Sequence, residues 1–180
     1  ELGCGLLPDD HFTRFRYDGE ADAPDTCASV DEAWAADIAA TDPDIALLVV
    51  GPWEVADWRD EDTGEWVHVG QPAVDDLVRR ELDEAVDILS AGGAVVYLLT
   101  SPLIRIGTQD GVPPAFERPA SDPSRMARFN AVLAEVADAR PGEAAVVDLA
   151  GYLRSTPGGE MDPTLRPDGI HLTWDAATAI

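Results

Sequence analysis

The sequence predicts an α/β fold in which a parallel sheet is doubly wound by helices into a three-layer α/β/α arrangement. Three apolar runs, at 45–50, 94–100 and 144–149, lack the polar alternation of a half-exposed strand. Such runs are typical of strands buried on both faces of a parallel sheet. Segments with helical periodicity separate them, and strands that alternate with helices of about 15 residues imply right-handed crossovers.

Each predicted strand has a helix before and after it. A Ser-x-x-Glu pattern at Ser29–Glu32 forms a capping box, which starts a helix that runs to about Ala40. Residues 73–90 are amphipathic, Ser124 can cap a third helix, and Trp174 begins another. Three segments are predicted as loops: 2–25, 52–70 and 101–123. The last two leave the carboxyl edge of the sheet, where α/β sheets bind their ligands.

The charge of the chain excludes some classes of partner. The 180 residues include 35 acidic residues against 12 arginines and no lysine, which gives a formal net charge of -23. An acidic surface repels phosphate backbones, so nucleic acid is not an expected partner, and anionic membranes are disfavoured for the same reason. A high-GC genome or adaptation to salt, either of which favours acidic residues, explains this composition more simply than a catalytic role does.

Two cysteines, Cys4 and Cys27, flank a polar stretch rich in glycine, proline and aspartate. They do not form a CxxC motif, and two explanations are open: a disulfide in an exported domain, or two unrelated buried thiols. The disulfide is favoured because a bridge would stabilise a stretch with little core of its own, by about 3 kcal/mol.

The sharpest chemical signal is Asp168-Gly169-Ile170-His171, which follows the last predicted strand. A catalytic histidine needs a partner that fixes its tautomer and stabilises the imidazolium. An aspartate three residues earlier, across a glycine turn, can supply that partner. The alternative is that Asp168 and Gly169 form an ordinary turn and that His171 caps the next helix.

The segment Asp168–Thr173 resembles the last sequence block of the SGNH (GDSL-type) hydrolases, which have a flavodoxin-like fold and a Ser-His-Asp triad. Gly3-Cys4-Gly5 resembles the second block of that family, and Gly51-Pro52-Trp53-Glu54 stands where the family carries G-x-N-D. Together with the later lone cysteine, these motifs are most similar to SGNH domains attached to membrane acyltransferases of the acyltransferase-3 group. The resemblance extends over nearly all of the chain.

This resemblance implies that Asp168 and His171 are two members of the triad. It also places five residues at the oxyanion and substrate site: Gly3, Gly5, Gly51, Trp53 and Glu54. Trp53 occupies the position of the family's asparagine, and its indole N–H is a donor that could take over the contact with the oxyanion. The Glu54 carboxylate cannot donate a hydrogen bond and would have to turn away.

The nucleophile of the family is a serine in a G-D-S motif after the first strand, and this sequence contains no such motif. None of its serines lies in a strand-to-helix elbow. We therefore expect residues 1–180 to be a single SGNH-like domain without its first strand, its nucleophile segment and the end of its last helix. On its own, the chain is expected to be inactive.

The sequence thus predicts an ester-handling domain that transfers or hydrolyses acyl groups on cell-surface carbohydrate, with a serine supplied from upstream of Glu1. The expected ligands are an acylated carbohydrate or a small acyl ester, without a cofactor or a metal. The resemblance also implies an extracellular or periplasmic location and a tether through a membrane acyltransferase domain of the same chain.

A non-catalytic glycan-binding module on the same fold is the alternative function. The predicted loop that holds Trp53, Trp58 and Trp66 either presents aromatic faces to sugar rings or packs them onto the sheet. A nucleotide-binding domain is disfavoured, because the sequence has no glycine-rich phosphate loop and its charge opposes a phosphate ligand.

Overall fold

The computed structural model describes residues 4–7, 12, 14–16, 20–22, 29–105 and 119–179. In chain order, the elements are β1 Arg14–Arg16, β2 Glu20–Asp22, α1 Val30–Thr41, β3 Ile45–Leu48, β4 Asp57–Arg59, β5 Trp66–Val67, α2 Pro72–Ser90, β6 Val95–Leu99, α3 Pro123–Ala139, β7 Ala144–Val147, α4 Leu149–Ser155 and α5 Trp174–Ala179. A short 3₁₀ helix at Pro119–Ser121 precedes α3.

The centre of the fold is a parallel sheet with the strand order β3-β6-β7. Ile45 pairs with Val95, and Leu99 pairs with Val147. On one face of this sheet the side chains are buried: Ala46, Leu48, Val96, Leu98 and Ala144. Helices α2 and α3 pack against each other and against the sheet. The prediction of an α/β fold with a parallel sheet is therefore confirmed.

The opposite face of the sheet differs from the prediction that these strands are buried on both faces. Ile45, Leu47 and Val49 are exposed, and so is Val147 on the far strand. An apolar run indicates that both faces of a strand are apolar, but it does not predict whether other parts of the same chain cover both faces.

Two predicted helix caps are wrong. Ser29 lies at the N-cap of α1, but its side chain makes no capping hydrogen bond. At the start of α3 the cap is Asp122, whose carboxylate accepts a hydrogen bond from the Ser124 amide, while Pro123 occupies the first turn. Proline is favoured there because its missing N–H would have no intrahelical partner.

A second, antiparallel sheet occupies segments that were predicted as loops. Its strand order is β2-β1-β4-β5. These strands have only two or three residues, which is too short to show a period in the sequence. Where β1 pairs with β4, Phe15 lies opposite Trp58, with ring centroids 5.5 Å apart, and the Trp58 side chain is buried. Trp58 therefore packs inside the fold rather than facing a sugar.

A buried carboxylate joins the small sheet to helix α3. Asp57 on β4 accepts hydrogen bonds from Arg125 at 2.7 Å and from Arg16 at 3.0 Å. The Arg16 guanidinium also stacks over the Trp66 ring, 4.0 Å from its centroid. Among the residues that the structure describes, no helix is both long enough and apolar enough to cross a membrane.

Candidate active site

Asp168 and His171 form a hydrogen-bonded pair in the turn that precedes α5. His171 Nδ1 lies 2.6 Å from Asp168 Oδ2, and the amides of Ile170 and His171 donate to Asp168 Oδ1 at 2.9 and 2.8 Å. The His171 side chain is 80% exposed, whereas that of Asp168 is 23% exposed. Asp168 thus holds the imidazole at Nδ1, and most of the His171 side chain is open to solvent.

The hydrogen bonds around Asp168 favour its ionised form. Partial burial by itself raises the pKa of this carboxyl, but the hydrogen bonds from the His171 imidazole and from the Ile170 and His171 amides lower it. The pKa of Asp168 therefore lies below its ordinary value, so the group is a carboxylate at neutral pH. In a neutral imidazole, a carboxylate that accepts from Nδ1 leaves Nε2 as the nitrogen with the free lone pair.

Gly169 lets this turn dock closely on the segment after β6. Its φ is +76°, and a Cβ at this position would overlap the carbonyl oxygen of Arg105. The Gly169 carbonyl in turn accepts a hydrogen bond from the Arg105 amide at 3.0 Å. Both the left-handed backbone and the close approach require glycine here.

A buried arginine joins the His171 turn to two other segments of the chain. Arg166 is 2% exposed. Its Nη1 donates to the carbonyl oxygens of Leu103 at 2.6 Å and Glu160 at 2.9 Å, and its Nε donates to the Ile170 carbonyl at 3.1 Å. Glu160 is buried as well, and its carboxylate accepts from the Leu103 amide at 3.0 Å. The planar guanidinium therefore ties the His171 turn to the segment that leaves the carboxyl end of β6.

Gly51, at the carboxyl end of β3, lies against Ser101, at the carboxyl end of β6. A Cβ on Gly51 would overlap the Ser101 side chain. Ser101 is buried, and the Asn130 side chain on α3 fixes its backbone by accepting from the Ser101 amide and donating to its carbonyl, both at 2.8 Å. Asn130 therefore has a structural role, because its amide joins α3 to the segment at the carboxyl end of β6.

The structure corrects the prediction for Glu54. Its side chain is 1% exposed, and its two oxygens accept from the Leu6 amide at 2.7 Å and the Gly51 amide at 2.6 Å. Burial raises the pKa of Glu54 more strongly than these amide hydrogen bonds lower it. With both oxygens engaged, Glu54 presents no surface to a ligand, and the Gly51 N–H is not available to an oxyanion. The role of Glu54 is to join the segment 4–7 to the end of β3.

Trp53 packs beside Gly5. A Cβ on Gly5 would come 2.9 Å from Trp53 Cβ. The Trp53 ring meets Phe15 edge to face, with centroids 4.8 Å apart, and the Trp53 carbonyl accepts from the Trp58 indole at 2.9 Å. Whether the Trp53 indole N–H serves an oxyanion stays a prediction.

Two of the predicted site residues, Gly3 and Cys27, lie outside the described residues. Cys4 is described, and it is disulfide-bonded. The sequence contains one other cysteine, Cys27.

Two features near the pair were missed by the sequence analysis. The first is the buried Arg166. The signal available in the sequence was its position, two residues before Asp168 in a chain with few basic residues. The second is Trp174 at the start of α5, three residues after His171, whose side chain is 81% exposed. This exposed indole is available to a ligand that binds by stacking.

Among the described ranges of the chain, no three histidine, cysteine or acidic side chains come together as a metal site. Comparison with family models, with curated proteins and with solved structures gave no match to this chain.

Proposed function

We propose that this chain is the acid–base half of an ester-handling site of the SGNH type, on a doubly wound fold. The observation that carries the proposal is the contact of 2.6 Å between Asp168 Oδ2 and His171 Nδ1, with the imidazole otherwise open to solvent. A histidine that is oriented at one nitrogen and free at the other can move a proton to and from a substrate.

In the proposed reaction, a serine supplied from upstream of Glu1 attacks the acyl carbonyl carbon, and His171 Nε2 takes the hydroxyl proton. The carbonyl oxygen becomes an oxyanion, for which the Gly3 or Gly5 amide and the Trp53 indole are the proposed donors. When the tetrahedral intermediate collapses, the C–O bond to the alcohol breaks and His171 returns the proton to that alcohol. Water or an acceptor hydroxyl then cleaves the acyl-enzyme by the reverse sequence.

An acylated carbohydrate is the proposed substrate. The exposed Trp174 supports it, because an indole face stacks on the apolar face of a sugar ring and lies on the same turn-to-helix segment as His171. The disulfide at Cys4 supports an oxidising location, outside the cell or in the periplasm.

Ester hydrolysis by the chain extended upstream with its own encoded residues tests the catalytic role. With a small acetyl ester as substrate, His171→Ala should lower kcat/KM by about 10³-fold or more, because triad members act as a unit. His68→Ala is the matched control: His68 lies before α2, where its Nδ1 contacts the Val69 carbonyl, and its removal should leave kcat/KM unchanged. Full activity in His171→Ala would rule out the triad.

A glycan-binding module is the second candidate, favoured by the lack of a G-D-S motif in this sequence and by the exposed Trp174. It predicts that the extended chain hydrolyses no ester and binds an acetylated oligosaccharide. In that case Trp174→Ala should weaken binding, while Asp168→Asn should not.

A further inference from the structure

The acid–base pair, Asp168 and His171, lies at the surface, so its hydrogen bond alone does not fix its geometry. The His171 side chain is 80% exposed. Contacts between exposed polar side chains contribute little free energy, because water competes for both partners. A working site, however, has to be held within about 0.5 Å and 10–20° of its productive geometry. The main chain of the turn therefore needs support from other residues.

Arg166 binds the main chain of this turn at two points. Its Nε donates to the Ile170 carbonyl at 3.1 Å, and its own carbonyl accepts from the Gly169 amide at 3.0 Å. The Ile170 carbonyl belongs to the peptide unit that carries the His171 amide. Because a peptide unit is planar, holding this carbonyl also sets the direction of that amide, which donates to Asp168 Oδ1 at 2.8 Å.

The far end of the Arg166 side chain is bound to residues outside the turn. Its Nη1 donates to the Leu103 and Glu160 carbonyls, and Arg166 is 2% exposed. The buried Glu160 carboxylate accepts from the Leu103 amide at 3.0 Å, so both main-chain polar groups of Leu103 are engaged. Two residues further on, the Arg105 amide donates to the Gly169 carbonyl at 3.0 Å. The turn is thus bound through the Arg166 side chain and through the segment that Glu160 fixes.

We propose that Arg166 and Glu160 are positioning residues for the acid–base pair, and that they keep its two side chains within hydrogen-bond reach. They act through the main chain of the turn. The inference rests on the proposed function and deepens it, because it names the residues that set the geometry of the acid–base pair. Its test reads that geometry directly and needs no turnover.

The directions of the arginine donors separate positioning from stability. The Nε and Nη1 atoms of Arg166 lie in one rigid plane and donate to carbonyls of different segments, whereas a lysine has one ammonium at its tip. In Arg166→Lys the ammonium can replace Nη1 at the Leu103 and Glu160 carbonyls, but the Ile170 carbonyl loses its donor. We expect this variant to keep more of the parent's Tm than Arg166→Ala does, and to disturb the acid–base pair as strongly.

Heteronuclear NMR of the imidazole in residues 1–180 measures the effect on the pair. With His171 neutral, the parent should favour the tautomer that carries its proton on Nδ1, because a carboxylate accepts there. The ratio of the Nδ1–H to the Nε2–H tautomer should fall about 10-fold in Arg166→Lys and in Glu160→Ala. It should be retained in Glu160→Gln, whose side-chain carbonyl still accepts from the Leu103 amide.

Arg125→Lys is the matched control. Arg125 is another largely buried arginine, and its partners are the Val55 carbonyl and the Asp57 carboxylate. This variant should lower Tm and leave the tautomer ratio of His171 unchanged. A ratio that is unchanged in Arg166→Lys, a ratio that follows Tm in all variants, or a parent without an excess of the Nδ1–H tautomer would each overturn the proposal. If the ratio responds as expected but the extended chain hydrolyses no ester, the proposed function fails and the positioning role stands.

Discussion

Gly169→Ala, compared with Gly159→Ala, should separate the two reasons why the His171 turn needs glycine: its left-handed backbone and its close approach to Arg105. The backbone strain of a φ of +76° costs about 1 kcal/mol for a residue with a Cβ. The added Cβ also overlaps the Arg105 carbonyl oxygen, which is backbone and cannot rotate away. Displacing it adds about 2 kcal/mol, so we expect a total loss of about 3 kcal/mol in the free energy of unfolding.

Gly159→Ala isolates the first contribution. Gly159 has a φ of +66°, and nothing lies within 4 Å of the Cβ that alanine would add. For a chain of this length, 1 kcal/mol shifts Tm by roughly 2–4 °C. We therefore expect Tm to fall by roughly 2–4 °C in Gly159→Ala and by roughly 6–12 °C in Gly169→Ala, measured by circular dichroism with the disulfide intact. Equal shifts in the two variants would refute the close approach to Arg105.

Four further outcomes are expected. Arg166→Ala should lower the free energy of unfolding by about 3 kcal/mol in urea denaturation, because the Leu103 and Glu160 carbonyls lose their donor. The control Arg80→Ala, at an exposed position, should cost less than about 0.5 kcal/mol. Similar costs in the two variants would contradict the hydrogen-bond network of Arg166. Asp168→Asn should lower the free energy of unfolding at pH 7, and its difference from the parent should shrink as pH falls below about 4. The reason is that a carboxyl with a lowered pKa stabilises the fold only while it is ionised. A difference that does not depend on pH would contradict this prediction. In the extended chain, Trp53→Phe should reduce turnover by about 10²-fold if the indole donates to the oxyanion, and unchanged turnover would leave Trp53 as a packing residue. Trp174→Ala should raise KM for an acetylated oligosaccharide but not for a small acetyl ester, and equal KM changes would argue against sugar stacking.

The parts of the fold that the sequence predicted are those with strong local signals. The apolar runs located β3, β6 and β7 to within about two residues, and the amphipathic period located α2. The contact between Asp168 and His171 was predictable because the two residues are three apart across a glycine turn, so local geometry alone brings them together.

The parts that were missed depend on contacts between distant residues. Strand β1 exists because Phe15 meets Trp58, 43 positions away, and three residues show no period of their own. Glu54 was predicted at the substrate site because the residues around it resemble a family motif, but its carboxylate accepts a hydrogen bond from the Leu6 amide. Arg166 is buried because backbone carbonyls from two other segments converge on it, which no local pattern reports.

The most direct test of the account is covalent labelling of the extended chain with a fluorophosphonate probe, followed by mass spectrometry of the labelled peptide. The probe reacts with a serine only when a general base activates it. We expect label on one serine upstream of Glu1, none on residues 1–180 alone, and a loss of labelling in His171→Ala but not in His68→Ala. Labelling that persists in His171→Ala, or an extended chain that takes no label, would contradict the claim that Asp168 and His171 are the acid–base half of an ester-handling site.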